Sequence, residues 1–342
     1  MDKYSKKYDE SMMKIKSSFL TDNEKLLEES NSIIRRYMKQ PRRTKCKMCG
    51  VEFKGDELNF CSHEVKYIYC SNCNHLNGEY EETTEFCSAT YVEDDYGRAY
   101  SEQEKSKYLE RVTTIYKPKM DFLLESVERL YATNKIDILD VGAGSGYFVK
   151  AGIEAGVKIH GVEVSGNQAK FANDMIGEDV VKHIDINQTA QIISETNCNI
   201  VSMLGVLEHF EDFHLILESI QNNMNIKYFY FSVPMFSYSC VFETLFQEGY
   251  NRHMSGDHTH LFSNNSIEYM LKKYGFKKER AWHFGTDAMD LYRLMKVKLQ
   301  QSSKTEGLAK VLDEKFLPVI NDIQIIMDKT EFCSEIHMLV RK

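Results

Sequence analysis

Two pairs of cysteines near the start of the chain have the spacing of a metal site. Cys46-x-x-Cys49 is followed, after 20 intervening residues, by Cys70-x-x-Cys73. Each pair can form a tight turn, and two such turns complete the tetrahedron of sulfur ligands that zinc prefers. Four protein thiolates leave no open coordination position, so the pattern predicts a structural zinc site. Four nearby residues leave open the replacement of one of these ligands: Cys61, His63, His75 and Cys87.

A glycine-rich turn after an apolar run is the strongest sign of a ligand site. The run ends at Asp140-Val141, and Gly142-Ala143-Gly144-Ser145-Gly146 follows before a helical pattern begins. Glycine permits positive φ and a close approach of the backbone to a ligand, and a helix N-terminus favours bound polar groups. The G-x-G-x-G spacing fits the dinucleotide fingerprint poorly, and a P-loop is excluded because no Gly-Lys-Ser/Thr follows.

An acidic residue stands at the end of the next apolar run. Glu163 lies 23 residues after Asp140. A carboxylate at the end of the second strand of such a fold can accept hydrogen bonds from both hydroxyls of a ribose. Together the two motifs predict a ribose-containing ligand at the carboxyl ends of parallel strands.

Composition and charge argue against several classes of protein. The chain has 342 residues, is 42% hydrophobic and carries a formal net charge of −8. Residues 1–50 hold 13 Lys/Arg and 7 Asp/Glu, a local balance of +6 that suits either a solvated helical face or contact with an anionic substrate or nucleic acid. The acidic remainder makes nucleic-acid binding an unfavoured role. No apolar run reaches membrane-spanning length and the N-terminus lacks a signal peptide, so we expect a cytoplasmic protein without membrane insertion.

The periodicity of apolar residues divides the chain into five predicted segments. Residues 1–41 form a helical segment, residues 42–90 a zinc-binding module and residues 91–134 a helical connector. Residues 135–285 alternate short apolar runs with amphipathic stretches, which is typical of a parallel α/β sheet. Residues 286–342 supply helices and a final strand. The predicted strands are Ile136–Val141, Lys158–Val164, Asn199–Leu204, Tyr228–Val233 and residues 335–341.

Four motifs taken together resemble those of class I S-adenosylmethionine-dependent methyltransferases. Ile138–Phe148 and Gly161–Glu163 are similar to that family's first two motifs. Val201–Phe210 resembles the fourth-strand motif, and Tyr230–Pro234 resembles the fifth strand. The resemblance covers about residues 115–285. It implies a Rossmann-like α/β fold with a seven-stranded sheet and helices on both faces, preceded here by the zinc-binding module and the N-terminal helix.

The same resemblance implies S-adenosyl-L-methionine as the cofactor. The residues that it places at the cofactor are Asp140, Gly142, Ala143, Gly144, Gly146, Glu163, Asp185, Leu204 and Gly205. Asp140 would face the amino acid end, Glu163 the ribose and Asp185 the adenine amine. Leu204 and Gly205 would supply backbone beside the sulfonium.

A cysteine module ahead of this fold also resembles the nucleotide-sugar C-methyltransferases and their relatives. Those enzymes carry Tyr-His-Glu-His before the sixth strand, whereas this chain has Asp257-His258-Thr259-His260. The tyrosine and the glutamate are missing, so methylation on oxygen and on carbon both stay open. The resemblance implies a small-molecule acceptor, such as a sugar nucleotide or a related polysaccharide or metabolite precursor.

Histidine is the natural base for an acceptor that must lose a proton near neutral pH. His258 and His260 come first because their loop follows the predicted fifth strand, and His209 comes next, just past the fourth. Two alternatives stay open: a tRNA or rRNA methyltransferase that grips RNA with its basic N-terminus and zinc module, and a non-catalytic scaffold. Residues 286–330 would serve as a lid or as a homodimer interface.

Overall fold

The computed structural model describes residues 1–4, 22–92, 104–128, 136–254, 256 and 258–342. The first part of the predicted N-terminal helix, and Asp257, lie outside these residues. The chain divides into two compact units, and each combines segments that are distant in the sequence. The cysteine unit comprises Met1–Phe86, Val233–Met270 and Trp282–Ile336, and the sheet unit comprises Cys87–Ser232, Leu271–Ala281 and His337–Lys342.

The described strands are short and form two sheets. Numbered along the chain, they are β1 (Lys3–Tyr4), β2 (Asn59–Ser62), β3 (Val65–Tyr69), β4 (Leu76–Gly78), β5 (Asp137–Val141), β6 (Lys158–Glu163), β7 (Val181–His183), β8 (Ile200–Leu204), β9 (Tyr228–Pro234), β10 (His260–Leu261), β11 (Lys277–Phe284) and β12 (Glu335–Arg341).

Helices occupy most of the remaining described chain. They are α1 (Asn23–Tyr37), α2 (Thr84–Cys87), α3 (Lys105–Arg111), α4 (Lys117–Glu128), α5 (Tyr147–Glu154), α6 (Gly166–Ile176), α7 (Thr189–Glu195), α8 (Phe213–Asn222), α9 (Tyr238–Leu245), α10 (Asn264–Tyr274), α11 (Asp287–Gln300), α12 (Gly307–Phe316) and α13 (Ile320–Lys329). None of these described helices is both long enough and apolar enough to cross a membrane.

The larger sheet has the strand order β1-β11-β12-β9-β8-β5-β6-β7. The strands β6, β5, β8 and β9 pair in parallel, as the alternating pattern predicts. All seven residues of β9 are buried, as expected for a strand with both faces covered. The chain leaves β5 toward β6 on one side, and β8 lies on the other, so the direction of the strand order reverses between β5 and β8. In open α/β sheets, ligands bind at the carboxyl ends of the strands where such a reversal occurs.

Local sequence determines where the helices that follow β5 and β6 begin and where the second of them ends. Gly146 has φ 74°, a left-handed conformation that suits glycine, and α5 begins at the next residue. Ser165 caps α6 by accepting a hydrogen bond from the backbone of Gln168, and Gly177 ends that helix in the left-handed region. The first turns of α5 and α6 therefore begin close to the carboxyl ends of β5 and β6.

The smaller sheet lies within the cysteine unit and has the order β10-β4-β3-β2. All of its pairs are antiparallel, and His260 of β10 lies opposite Asn77 of β4. This pairing is long-range, because β10 joins strands that precede it by more than 180 residues. The sheet therefore brings the Thr259–His260 segment against the cysteine-rich region.

Candidate cofactor site and cysteine cluster

The three glycines of the turn after β5 are required for different reasons. Gly142, Gly144 and Gly146 all have positive φ, at 70°, 52° and 74°. A Cβ on Gly142 would lie 2.6 Å from Val206 Cγ2, and one on Gly146 would lie 2.8 Å from Ala172 Cβ, so the protein's own packing excludes side chains there. A Cβ on Gly144 would meet no atom within 4 Å. The open space beside Gly144 is therefore the part of the loop that a ligand can fill.

Glu163 holds this loop in place from the end of β6. Its carboxylate accepts hydrogen bonds from the backbone N–H groups of Gly144, at 2.7 Å, and Ser165, at 2.9 Å. Burial raises the pKa of Glu163, and these two hydrogen bonds offset part of that effect. Each carboxylate oxygen can accept a second hydrogen bond. The side chain can thus support the loop and still accept from the hydroxyls of a ribose.

Asp140 lies one residue before the end of β5, in the buried centre of the sheet. Ser202, its partner across the β5–β8 pair, donates a hydrogen bond of 2.6 Å to its carboxylate. Burial raises the pKa of Asp140 to about 7, although the Ser202 hydroxyl acts in the opposite direction. Such a carboxyl group is poised to ionise when a cation comes close to it.

The remaining predicted cofactor residues lie at the same edge of the sheet. Ala143 and Gly142 both donate backbone hydrogen bonds to Val162, which ties the loop to β6. Leu204 ends β8, and Gly205 follows it with φ 69° and is exposed. Asp185 is exposed two residues after β7 and caps a short helical turn by accepting from the backbone of Asn187. These positions lie at the ends of β5, β7 and β8, and Glu163 at the end of β6 completes a row of four adjacent parallel strands.

Sequence reasoning missed the aromatic support on the other side of the loop. Tyr108 of α3 is buried and donates a hydrogen bond of 3.0 Å to the carbonyl of Ser145. Its ring stacks on Tyr147, the first residue of α5, with ring centroids 4.6 Å apart. Ser145 also donates to Gln168 of α6. Tyr108 lies in the predicted helical connector, so its residue type was visible in the sequence. Its spacing within that connector does not indicate a contact with Ser145, 37 residues away.

The four predicted zinc ligands lie together in the cysteine unit. Their sulfur atoms are all within 4.8 Å of one another. Cys46 and Cys73 approach to 3.6 Å, as do Cys49 and Cys70. Zinc–sulfur bonds of about 2.3 Å in a tetrahedron place the sulfur atoms about 3.8 Å apart, so the cluster fits a tetrahedral zinc ion. Asn77 donates an N–H to the sulfur of Cys46, the type of second contact that orients a thiolate ligand.

The four alternative ligands have other surroundings in the structure. Cys61 is exposed, and the buried ring of His63 contacts Ser62 and the carbonyl of Gly249. His75 pairs with His260, and Cys87 donates toward the carbonyl of His209 within the sheet unit. Among the described residues, the metal-like cluster around Cys46 contains only the four predicted cysteines.

The histidine segment, His253–His260, lies in the cysteine unit, and its two predicted bases, His258 and His260, differ in environment. His258 is half-buried, and its Nδ1 lies 2.9 Å from the carbonyl oxygen of His253. A carbonyl oxygen only accepts, so Nδ1 carries the proton and the neutral ring has its lone pair on Nε2. His253 is buried against the carbonyl of Met235, and burial lowers its pKa to about 3. His253 therefore fixes the tautomer of His258 through its backbone.

His260 is fully buried, in contrast to the half-buried His258. Its Nδ1 lies 2.8 Å from Nε2 of His75, and the two rings are tilted against each other. Burial, together with the charge of Lys47, holds the pKa of His260 well below its usual value. These contacts link His260 of β10 to His75, the residue that precedes β4.

His209, the third predicted base, belongs to the sheet unit. It closes the short helical turn after β8, and its Nδ1 lies 3.0 Å from the hydroxyl of Tyr91. Val206, the residue that a Cβ on Gly142 would strike, opens the same turn. His209 is thus carried by the segment that packs against the glycine loop.

A family model of methyltransferase domains matches this chain. The model of the methyltransferase domain family matches residues 108–281, which is more than half of the chain. A search of curated proteins finds no match. Among solved structures, a SAM-dependent methyltransferase from Archaeoglobus fulgidus aligns at 18% identity over 66% of this chain and 94% of its own, with a TM-score of 0.43. Magnesium protoporphyrin IX methyltransferase from Synechocystis PCC 6803, solved with SAH, aligns at 11% identity over 73% and 93%, with a TM-score of 0.44.

The family match begins at Tyr108, the residue that supports the glycine loop, and ends at Ala281, within β11. It thus contains the loop, Glu163 and the four central parallel strands. The chain belongs to the methyltransferase domain family and has its Rossmann-like α/β fold.

Proposed function

We propose that this protein transfers a methyl group from S-adenosylmethionine to a small molecule of the sugar-nucleotide class. The observation that carries the proposal is the glycine loop: two of its glycines are required by packing, whereas Gly144 faces open space at the strand-order reversal. A loop shaped only by internal packing has no need for glycine at that position beyond its backbone conformation. A cofactor bound against this backbone would fill that space, and glycine keeps the space free of a side chain.

The charges around the loop suit the two ends of S-adenosylmethionine. Glu163 would accept hydrogen bonds from the ribose hydroxyls while it keeps its contact with Gly144. Asp140 would face the amino acid end, where an ammonium group would stabilise the ionised form of its carboxyl. Asp185 would lie near the adenine amine, and Leu204 and Gly205 would line the sulfonium. S-adenosylmethionine carries the methyl group on its sulfonium, and the thioether that leaves is neutral and a good leaving group.

The protein's own contribution to the chemistry is positioning and proton removal. An oxygen acceptor attacks in line once it is held at about 3–3.5 Å, and it must lose its proton. We favour His258 as the base, because the carbonyl of His253 leaves its Nε2 as the basic nitrogen. His209 is the second candidate. His260, which is buried against His75, is assigned a structural role instead.

Four described cations of the basic N-terminal region bear on RNA as the alternative acceptor. Arg43 and Lys47 are buried and both pair with Glu82. Arg42 pairs with Glu79, and Lys45 pairs with Glu52. Arg43 and Lys47 are therefore not part of an open basic surface that could grip a phosphate backbone, whereas Arg42 and Lys45 stay exposed in their ion pairs. A sugar nucleotide needs a small pocket rather than such a surface.

A labelling experiment tests the proposal. The purified protein is incubated with methyl-labelled S-adenosylmethionine and, separately, with a panel of nucleotide sugars and with total tRNA. We expect label to enter a nucleotide sugar, with a product heavier by one methylene group. Label in tRNA alone would replace the proposed acceptor class by RNA. Cofactor binding without label in either set would contradict the proposed acceptor, and absence of cofactor binding would contradict the function as a whole.

A further inference from the structure

A buried network of charged and polar side chains joins the cysteine cluster to the histidine segment within the cysteine unit. Its centre is Glu82, whose carboxylate accepts hydrogen bonds from Arg43, at 2.6 Å, and Lys47, at 2.8 Å. The side chains of all three residues are at most 6% exposed. Buried ion clusters of this kind are stable only when every partner is present, because each unpaired charge would be desolvated without compensation.

One end of the network reaches the cysteine cluster directly. Lys47 lies between the two cysteines of the first C-x-x-C pair, and its backbone N–H donates to the side chain of Asn77 at 2.9 Å. Asn77 in turn donates to the sulfur of Cys46. With zinc and four thiolates the cluster would carry two negative charges, while Arg43, Lys47 and Glu82 together carry one positive charge. The two groups therefore attract each other when metal is bound.

The other end of the network reaches the residue that follows His258. Thr259 is buried, and its hydroxyl donates to the second oxygen of Glu82. The carbonyl of Thr259 accepts from the backbone of Gly78 at 2.8 Å. A Cβ on Gly78 would lie 2.6 Å from that carbonyl, so glycine is required for this close approach. The next residue, His260, continues the contact as the first residue of β10, opposite Asn77.

We propose that Glu82 and Thr259 are positioning residues that couple the metal-bound cysteine cluster to the placement of His258. The hydrogen bond from Thr259 to Glu82 connects the histidine segment to the buried ion cluster through side chains. The pairing of β10 with β4 connects the same two regions through the backbone. This inference rests on the proposed function only where it assigns His258 a role in methyl transfer. The structural coupling itself is independent of the reaction.

Thr259→Val is the most selective test, because it removes the hydroxyl with little change in shape and leaves the three charges intact. Thr259→Ser is the matched control, because it keeps the hydroxyl. Hydrogen–deuterium exchange is measured for peptides that span residues 256–262 in the zinc-bound full-length protein, and zinc content is measured by elemental analysis. We expect Thr259→Val to keep its zinc but to exchange at least about tenfold faster in this segment, with Thr259→Ser close to the parent.

Removal of zinc from the parent protein with a chelator tests the same coupling from the other end. We expect the same peptides to lose protection, while peptides from β5 and β8 in the sheet unit keep theirs. Unchanged exchange in Thr259→Val with zinc bound would overturn the proposal. So would unchanged exchange at residues 256–262 in parent protein shown to have lost its metal.

Kinetics then separate a positioning role from a purely structural one. Once an acceptor is known, Thr259→Val should lower kcat with little change in KM for S-adenosylmethionine, and Thr259→Ser should restore kcat. A loss that affects only KM for the cofactor would contradict the positioning role. If no methyl transfer is found at all, the exchange experiment still decides the coupling, so failure of the proposed function and failure of this inference are distinguishable.

Discussion

Replacement of Gly144 by alanine separates a ligand site from an ordinary turn. In the structure a Cβ at this position would meet no protein atom within 4 Å, and the only internal penalty comes from φ 52°. A left-handed conformation costs a non-glycine residue about 1–2 kcal/mol. If the cofactor packs against this backbone, the added methyl group overlaps with it. We therefore expect a modest loss of stability and at least a tenfold loss of affinity for S-adenosylhomocysteine, or about 1.4 kcal/mol.

Gly156 provides the matched control for that experiment. It has φ 74°, a Cβ there would also meet nothing within 4 Å, and it lies in the turn between α5 and β6, away from the glycine loop. Gly156→Ala should cost a similar amount of stability by thermal unfolding, but calorimetric affinity should stay within about twofold of the parent. If Gly144→Ala binds S-adenosylhomocysteine as tightly as Gly156→Ala does, the space beside Gly144 is not a ligand site.

Three further predictions follow from the site. With a pKa of about 7 for Asp140, the ionised fraction of its carboxyl group rises from about 10% at about pH 6 to about 90% at about pH 8. If this carboxylate binds the cofactor's ammonium group, the affinity for the cofactor should rise about tenfold over that range and fall as the pH is lowered. The affinity of Asp140→Asn should follow only the ligand's own titration. Elemental analysis should find one zinc per chain and lose it in Cys70→Ser but not in Cys61→Ser; zinc-free parent protein purified without chelator would contradict the site. His258→Ala should lower kcat by about 10²–10⁴-fold if it is the base; a change within a few-fold, with a larger loss in His209→Ala, would move that role to His209.

Local patterns in the sequence were sufficient to predict the parallel sheet. The apolar runs that end at Val141 and Leu204 appear as β5 and β8 with those same last residues, since buried strands need continuous apolar residues on both faces. The family comparison confirms the methyltransferase fold that the resemblance of the four motifs implied. The position of Glu163 at the end of β6 was also predictable, because one short apolar run determines it.

Long-range pairing was not predictable from those patterns. The contact between Glu82 and Thr259 joins residues separated by 177 positions, and no periodicity in either segment indicates the other. The same holds for β10, a two-residue strand whose register depends on β4. Residue type alone also could not show that His258 is half-buried and His260 fully buried, because their burial depends on this pairing. The two units likewise combine segments that are distant in the sequence, which no local pattern indicates.

A crystal structure of the protein with S-adenosylhomocysteine examines the cofactor assignment directly. We predict that the ligand lies against Gly144, with its ribose hydroxyls donating to Glu163 and its amino acid end toward Asp140. Ligand bound elsewhere, or a glycine loop that stays empty at a ligand concentration that saturates binding in solution, would contradict the assignment.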